Sequence, residues 1–292
     1  MNSSMQKGIV LVAIASFLYG LQGILFRLVG SSLGTFYPFV VRGFIIATIL
    51  LIFLYFTKGF KKIKTKDYKW FILMPFSGII SFITVFIAYN NLTIGTVLFI
   101  FYAVFAISGF LFGYLFFKEK LNTIKIVSLA ISLLGLSLVF SGSYLGENFL
   151  YLLFSAVSGV ATSLWYIASK KISSNYSNSQ ILAVDSLFVF VICFIISILL
   201  REKLFFPSFS IPWLSVFGMT AVSLGAFVTV VYGYRFLSAQ IASLLLLTEV
   251  IFGIILAWIF FSEIPTSLAF LGGIVILIGV ALPNIPSIRK IQ

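Results

Sequence analysis

Apolar runs of about twenty residues follow one another along the whole chain, broken only by short polar or glycine-containing stretches, and leave it few ways to fold. They fall at approximately 8–29, 35–56, 69–90, 94–117, 123–141, 149–169, 179–200, 213–234, 240–261 and 266–284, with breaks such as 30–34 and 141–148. A helix of about 20 apolar residues spans the ~30 Å hydrocarbon core of a bilayer. A helix also satisfies its own backbone hydrogen bonds where no water can. The expected fold class is therefore all-α, an integral membrane protein with ten transmembrane helices. Composition excludes the soluble alternative: 61% of the 292 residues are hydrophobic and only 9% charged, against about 25% charged in an ordinary soluble domain. The first run could mimic a signal peptide, but it continues from Gly8 to about Val29 without a small-residue cleavage motif. That exceeds the usual apolar core of ~7–15 residues, so it is read as a retained helix.

The basic residues set the orientation. Lys7, six lysines between Lys58 and Lys69, Lys118, Lys120, Lys125, Lys170, Lys171, Arg235, Arg289 and Lys290 all fall on one side, fifteen of the nineteen. The opposite side carries Arg201 and Lys203, while Arg27 and Arg42 lie within spans. Short cytoplasmic loops are enriched in Lys and Arg, so both termini are expected in the cytoplasm and the protein in the cell membrane. This distribution also explains the net charge of +12 without a nucleic-acid partner.

The chain contains no histidine and a single cysteine, Cys193, inside an apolar run. No intramolecular disulfide is possible, and the commonest general base and metal ligand is missing. Cys193 reads as a small lipid-facing or packing residue. No zinc-protease, phosphate-loop or nucleophile-elbow motif occurs. No catalytic residue, metal or cofactor is expected, and transport, if any, is secondary.

An internal repeat divides the chain. Leu115-Phe116-Phe117-Lys118-Glu119 recurs as Ile259-Phe260-Phe261-Ser262-Glu263, and the same offset of 144 carries Gly109 to Gly253, Gly113 to Ala257 and Gly135 to Gly279. A single-residue indel then aligns Tyr89 with Tyr234. The expected halves are 1–145 and 146–292, with the boundary near Gly146. Each holds five spans, and an odd number turns the second half upside down. Inverted repeats of this kind surround midplane sites in secondary transporters.

With Arg42 in span two, Leu115–Glu119 closing span four, Thr248-Glu249 leading to Ile259–Glu263 in span nine, and Gly135 and Gly279 in spans five and ten, the sequence resembles the EamA-type family of the drug/metabolite transporter superfamily. The resemblance covers essentially the whole chain. It implies two inverted five-helix repeats around a central cavity lined by helices one, three, four, six, eight and nine, and export of amino acids or related small metabolites. The family usually carries proline in the middle of spans four and nine; this chain has Ala106 and Val250 there, which removes that ground for helix breaks.

Glu249 lies about ten residues into span nine between Leu244–Leu247 and Val250–Ile255, near the midplane at ~1.5 Å per residue. An intramembrane carboxyl group is by default a functional hypothesis, here a site for a substrate ammonium or a proton. The alternative is a hydrogen bond to a neighbouring helix. Tyr19 and Gln22 share one helical face, as do Thr162, Trp165 and Tyr166; Thr84 with Tyr89 and Tyr102 with Phe105 are weaker pairs. Polar groups in an aromatic wall suit a binding cavity, and Glu249, Trp165, Tyr19, Tyr102, Gln22 and Tyr166 are taken as substrate-binding. Arg42 and Asp185 sit at equivalent depths in the two halves and are read as gating residues or interhelical anchors. Glu119 and Glu263 end spans four and nine on opposite faces, as gates or as solvated helix-end carboxylates. Arg27, equivalent to Lys170, reads as a snorkelling interface residue. Small-residue spacing at Gly109/Gly113 and Gly253/Ala257 predicts close helix approach.

The expected function is a secondary transporter that exports amino acids, related metabolites or drugs, with a small molecule, the bilayer and a coupling proton as partners. The alternatives are an uptake or nucleotide-sugar-like carrier and, from another class, an intramembrane lipid-modifying enzyme.

Overall fold

The computed structural model describes residues 3–29, 33–89, 91–92, 94–141, 149–203 and 205–284. The helices are α1 (Ser3–Val29), α2 (Tyr37–Phe56), α3 (Tyr68–Tyr89), α4 (Ile94–Phe117), α5 (Thr123–Val139), α6 (Phe149–Ile172), α7 (Asn178–Leu199), α8 (Ile211–Gly233), α9 (Ala239–Leu246), α10 (Thr248–Phe261) and α11 (Ser267–Ala281). Span nine is α9 and α10 together. Among the described residues, eight stretches are long and apolar enough to cross a membrane, and the shorter apolar α5 and α11 complete ten. The outer surface is what lipid requires: Phe44, Phe53, Leu134, Trp258 and Phe270 are each more than half exposed. The expected boundary near Gly146 lies outside the described residues.

The repeat is legible in the packing. The main helix pairs are α3 with α6, α1 with α8, α4 with α6, α1 with α9 and α10, α2 with α7, and α5 with α11. Advancing every span by five returns the same set, and the α2–α7 and α5–α11 pairs map onto themselves. Backbone turns repeat as well. Lys58, Lys118, Arg201 and Ser262 adopt left-handed φ values of 48°, 54°, 56° and 57°, just past the ends of spans two, four, seven and nine. Gly59 and Glu202 donate backbone N–H bonds to Leu54 and Ser197, while Glu119 and Glu263 donate to Gly113 and Ala257. These wrapped ends satisfy last-turn carbonyls that lipid cannot. Asn122 and Thr266, again 144 apart, cap α5 and α11 by accepting from Lys125 N (2.9 Å) and Ala269 N (3.1 Å).

Without a hydrophobic driving force between helices in lipid, small residues set the crossings. A Cβ on Gly135 would stand 2.7 Å from Ile276 N, and one on Gly272 would stand 2.6 Å from Gly135 O. Gly279 abuts Ser132 and Ser128, so contacts descend α5 as they ascend α11 and the two helices run antiparallel. Gly109 abuts Ser243 of α9, and Gly113 makes room for the Glu119 carboxylate and Gln240, as the small-residue spacing predicts. At Gly253 the close approach is from α1, where a Cβ on Gly20 would stand 3.1 Å from Gly253 N, while a Cβ on Gly253 itself would meet nothing within 4 Å.

Span four is continuous, but span nine breaks without proline. Leu247 N and Val250 N bond three residues back, to Leu244 O (3.0 Å) and Leu247 O (3.2 Å), a local 3₁₀ tightening. Thr248 Oγ1 donates to Leu245 O at 2.7 Å beside the break, giving that carbonyl a side-chain partner.

Candidate functional site

Packing differs between the two ends. Towards the lysine-rich face, Phe71, Met74, Tyr166, Ile172, Tyr176, Ile181, Leu182 and Tyr234 belong to one continuous buried cluster. Towards the other face that cluster continues along α4 and α5, at Leu98, Leu136 and Phe140, and elsewhere among the described residues there are smaller clusters, such as Val29, Leu33, Trp213 and Val216, with cavities between them.

The central cavity, about 310 Å³, is walled by Tyr19 and Gln22 of α1, Phe39 and Arg42 of α2, residues of α3 from Gly78 to Val85, Thr162, Trp165 and Tyr166 of α6, Asp185, Val189 and Cys193 of α7, and Phe227 of α8. Two neighbours adjoin it. One of about 180 Å³ shares Tyr19, Thr162 and Tyr166 and adds Tyr102, Phe105 and Glu249. Another, about 480 Å³, runs from Glu249 past Gly20, Gly23 and Gly253 to Phe261. Tyr19 touches all three.

Local sequence explains each side chain's place. Gly43 brings α2 onto α7 so closely that a Cβ there would lie 2.8 Å from Phe190 N and 3.0 Å from Ser186 O. Arg42 and Asp185 are the chain neighbours of Gly43 and Ser186, so this one crossing delivers both charges to one cavity. Trp165 Nε1 donates to Asp185 Oδ1 at 3.0 Å, and Gly78 leaves room for its indole edge. The indole stands perpendicular to Tyr166 at 5.0 Å and tilts against Phe227 at 5.5 Å. Arg42 lies over the rings of Phe39 (4.7 Å) and Phe227 (5.6 Å), which suits the weakly hydrated guanidinium face. Ser81 is bridged to Ser158 (2.9 Å) and Thr162 (2.6 Å), tying α3 to α6.

Glu249 stands in the first turn of α10, directly after the break, where a carboxylate faces the partly positive end of the half-helix. Tyr102 lines the same compartment. Tyr166 also stacks on Tyr234 at 5.1 Å and 10°, closing the layer between the cavity and the lysine-rich face. Beyond that layer, Glu119 accepts from Lys170 Nζ (3.0 Å), Ala239 N (2.6 Å) and Gln240 N (3.2 Å).

The cavities thus gather all six residues taken as substrate-binding, though Tyr102 and Glu249 line a neighbour of the main compartment. Arg42 and Asp185, read as gates or anchors, line the central wall. Helices two and seven therefore contribute, alongside the six that the resemblance implies. Cys193 is 3% exposed and packs with Phe36, Phe39 and Val40, so it does not face lipid. Glu119 is not a solvated helix-end group: its side chain is 11% exposed and caps α9. Lys170, the repeat equivalent of Arg27, bonds Glu119 and Leu237 O. Glu263 lies exposed just after α10. Arg27 and Tyr89 have side chains outside the described residues, and Thr84 bonds its own helix at Ile80 O. The walls that sequence reasoning missed include Phe39, Val189 and Cys193. A signal existed, since Phe39 lies three residues before Arg42, and Val189 and Cys193 lie four and eight after Asp185, on one helical face.

Against known proteins, a model described as the EamA-like transporter family matches twice, over residues 6–141 and 149–285. No curated protein matches. Among solved structures, the crystal structure of a protein 16% identical in sequence superposes with a TM-score of 0.81, covering 98% of this chain and 99% of the other, a likeness of fold alone. With both halves matched, nearly end to end, the chain belongs to the EamA-like transporter family and is a multi-pass membrane transporter of small molecules.

Proposed function

We propose that this transporter exports amino acids or related small metabolites and drugs across the cytoplasmic membrane, by alternating access driven by proton exchange or by the substrate gradient. The observation that carries this reading is the cavity between the halves, aromatic-walled and holding a few polar groups. It lies towards the face with few basic residues, and the lysine-rich end is packed shut behind it. Both termini lie in the cytoplasm in this reading, as the basic loops favour. Five spans per half invert the second repeat, and rocking of such halves exposes a midplane site to each side in turn. Glu249 serves as the proton or substrate-ammonium site, at a depth where a carboxyl group costs at least ~2.5–3.5 kcal/mol. A nucleotide-sugar-like carrier needs a strongly basic midplane site, and among the described residues Arg42 shares its cavity with Asp185.

The test is export of radiolabelled amino acids from loaded vesicles, across a panel, with and without a pH gradient. Glu249→Gln at matched expression is expected to abolish transport or its pH dependence, while Glu249→Asp retains part of the activity. Wild-type transport by the Gln variant at every pH would return Glu249 to a packing role.

A further inference from the structure

Three groups in the central cavity have hydrogen-bonding capacity that the protein leaves unused. Among the described residues, Arg42 donates no hydrogen bond to the protein; its faces rest on Phe39 and Phe227. A guanidinium carries five donors, all in its plane. That planar edge matches a carboxylate in a two-pronged pair. Asp185 accepts one bond, from the Trp165 indole, where a carboxylate has about four acceptor positions. No cation among the described residues comes within 4.0 Å of it. Among the described residues, the side-chain carbonyl oxygen of Gln22 is buried without a partner. All three line the same 310 Å³ space.

The charges are opposite, close to one helix crossing, and yet not joined. In a medium of low dielectric an unpaired charge is costly, and a direct ion pair would be the simplest relief. The cavity that they share is thus lined by a free donor group and by two groups with acceptor capacity to spare. We infer that the transported molecule is a zwitterion, with Arg42 receiving its carboxylate and Asp185 with Gln22 receiving its ammonium. This rests on the export reading above and narrows it. A zwitterion pairs both charges and keeps the loaded cavity neutral. An organic cation leaves Arg42 unmatched, and an organic acid leaves Asp185 unmatched, which is discrimination by an uncompensated charge. The walls of Phe39, Phe82 and Phe227 take the apolar side chain. Glu249, in the adjoining compartment, stays outside the pairing and is left for the proton.

Two matched series test this: L-leucine with isopentylamine and 4-methylpentanoate, and L-phenylalanine with 2-phenylethylamine and 3-phenylpropionate. Each is measured by export from proteoliposomes and by heat stabilisation of the purified protein. The wild type is expected to prefer at least one amino acid over both of its truncated partners by tenfold or more, in export and in binding. Arg42→Gln should erase the preference over the amine, and Asp185→Asn the preference over the acid. Arg42→Lys, which keeps the charge but not the fork, should keep the order of preference with several-fold weaker binding. Equal handling of amine and amino acid by the wild type overturns the zwitterion site and leaves export standing. The same holds if Arg42→Gln, folded by its melting curve, keeps the full preference. Absence of export for every compound, with selective stabilisation by an amino acid, would refute export but not the site. Absence of selective stabilisation as well would refute both.

Discussion

Replacing Glu119 with alanine removes the group on which three elements converge at the lysine-rich end. Its carboxylate holds Lys170 of α6 at 3.0 Å and the first amides of α9, Ala239 N at 2.6 Å and Gln240 N at 3.2 Å. The pair is shielded, with side chains 13% and 11% exposed. Breaking a buried pair by deleting one partner costs about 3–5 kcal/mol, and losing a helix cap costs about 1 kcal/mol. Lys170 keeps one acceptor, Leu237 O at 2.7 Å, and some water, which pulls the expected loss down to about 3 kcal/mol. At roughly 2–4 °C per kcal/mol for a chain of this order, Glu119→Ala should melt about 6–12 °C earlier. The decisive assay is a double-mutant cycle with Lys170→Met in purified protein. Residues in contact couple by about 0.5–3 kcal/mol, so the double variant should be less damaged than the sum of the singles. Strict additivity, with Glu119→Ala melting like wild type, would show that the carboxylate is solvated after all.

Three further outcomes follow from the same geometry. Cysteine at Lys64 should be protected from impermeant thiol reagents in intact cells and cysteine at the exposed Lys203 labelled; the reverse pattern would overturn the orientation, and labelling at both would break the span count. Gly135→Val, which drives its Cβ towards Ile276 N, should destabilise by about 1–3 kcal/mol or more through overpacking. Gly23→Ala, where nothing lies within 4 Å, should melt as wild type, and equal melting of both would refute the α5–α11 contact. Glu202→Ala should destabilise by about 2–4 kcal/mol, since its oxygens hold Thr35 N, Phe36 N and Tyr37 N at the start of α2, and charge-assisted bonds of this kind contribute about 1.5–3 kcal/mol each, not additively. Unchanged melting would remove that capping role.

Several features of this protein are determined by its sequence alone. Span length, loop charge and the 144-residue echo from Leu115–Glu119 to Ile259–Glu263 are local or additive properties. They specify ten helices, two halves and the family without reference to any contact. The same holds for a face such as Tyr19 with Gln22, which needs only helical spacing. What tertiary structure decided is how each span is rotated and which span it meets. In a soluble helix a polar stripe announces that rotation; here nearly every face is apolar, so lipid-facing and buried sides look alike in sequence. Glycine and serine contacts settle the matter instead. The approach of Gly43 to Ser186 turns Arg42 and Asp185 from separate anchors into two walls of one cavity. The pocket beside Gly113 turns Glu119 into the cap of α9. Span nine tightens at Leu247 and Val250 where no proline marks the place. Each of these depends on surfaces distant in the chain or on a competition among hydrogen bonds, and neither is encoded in the hydropathy of a single span.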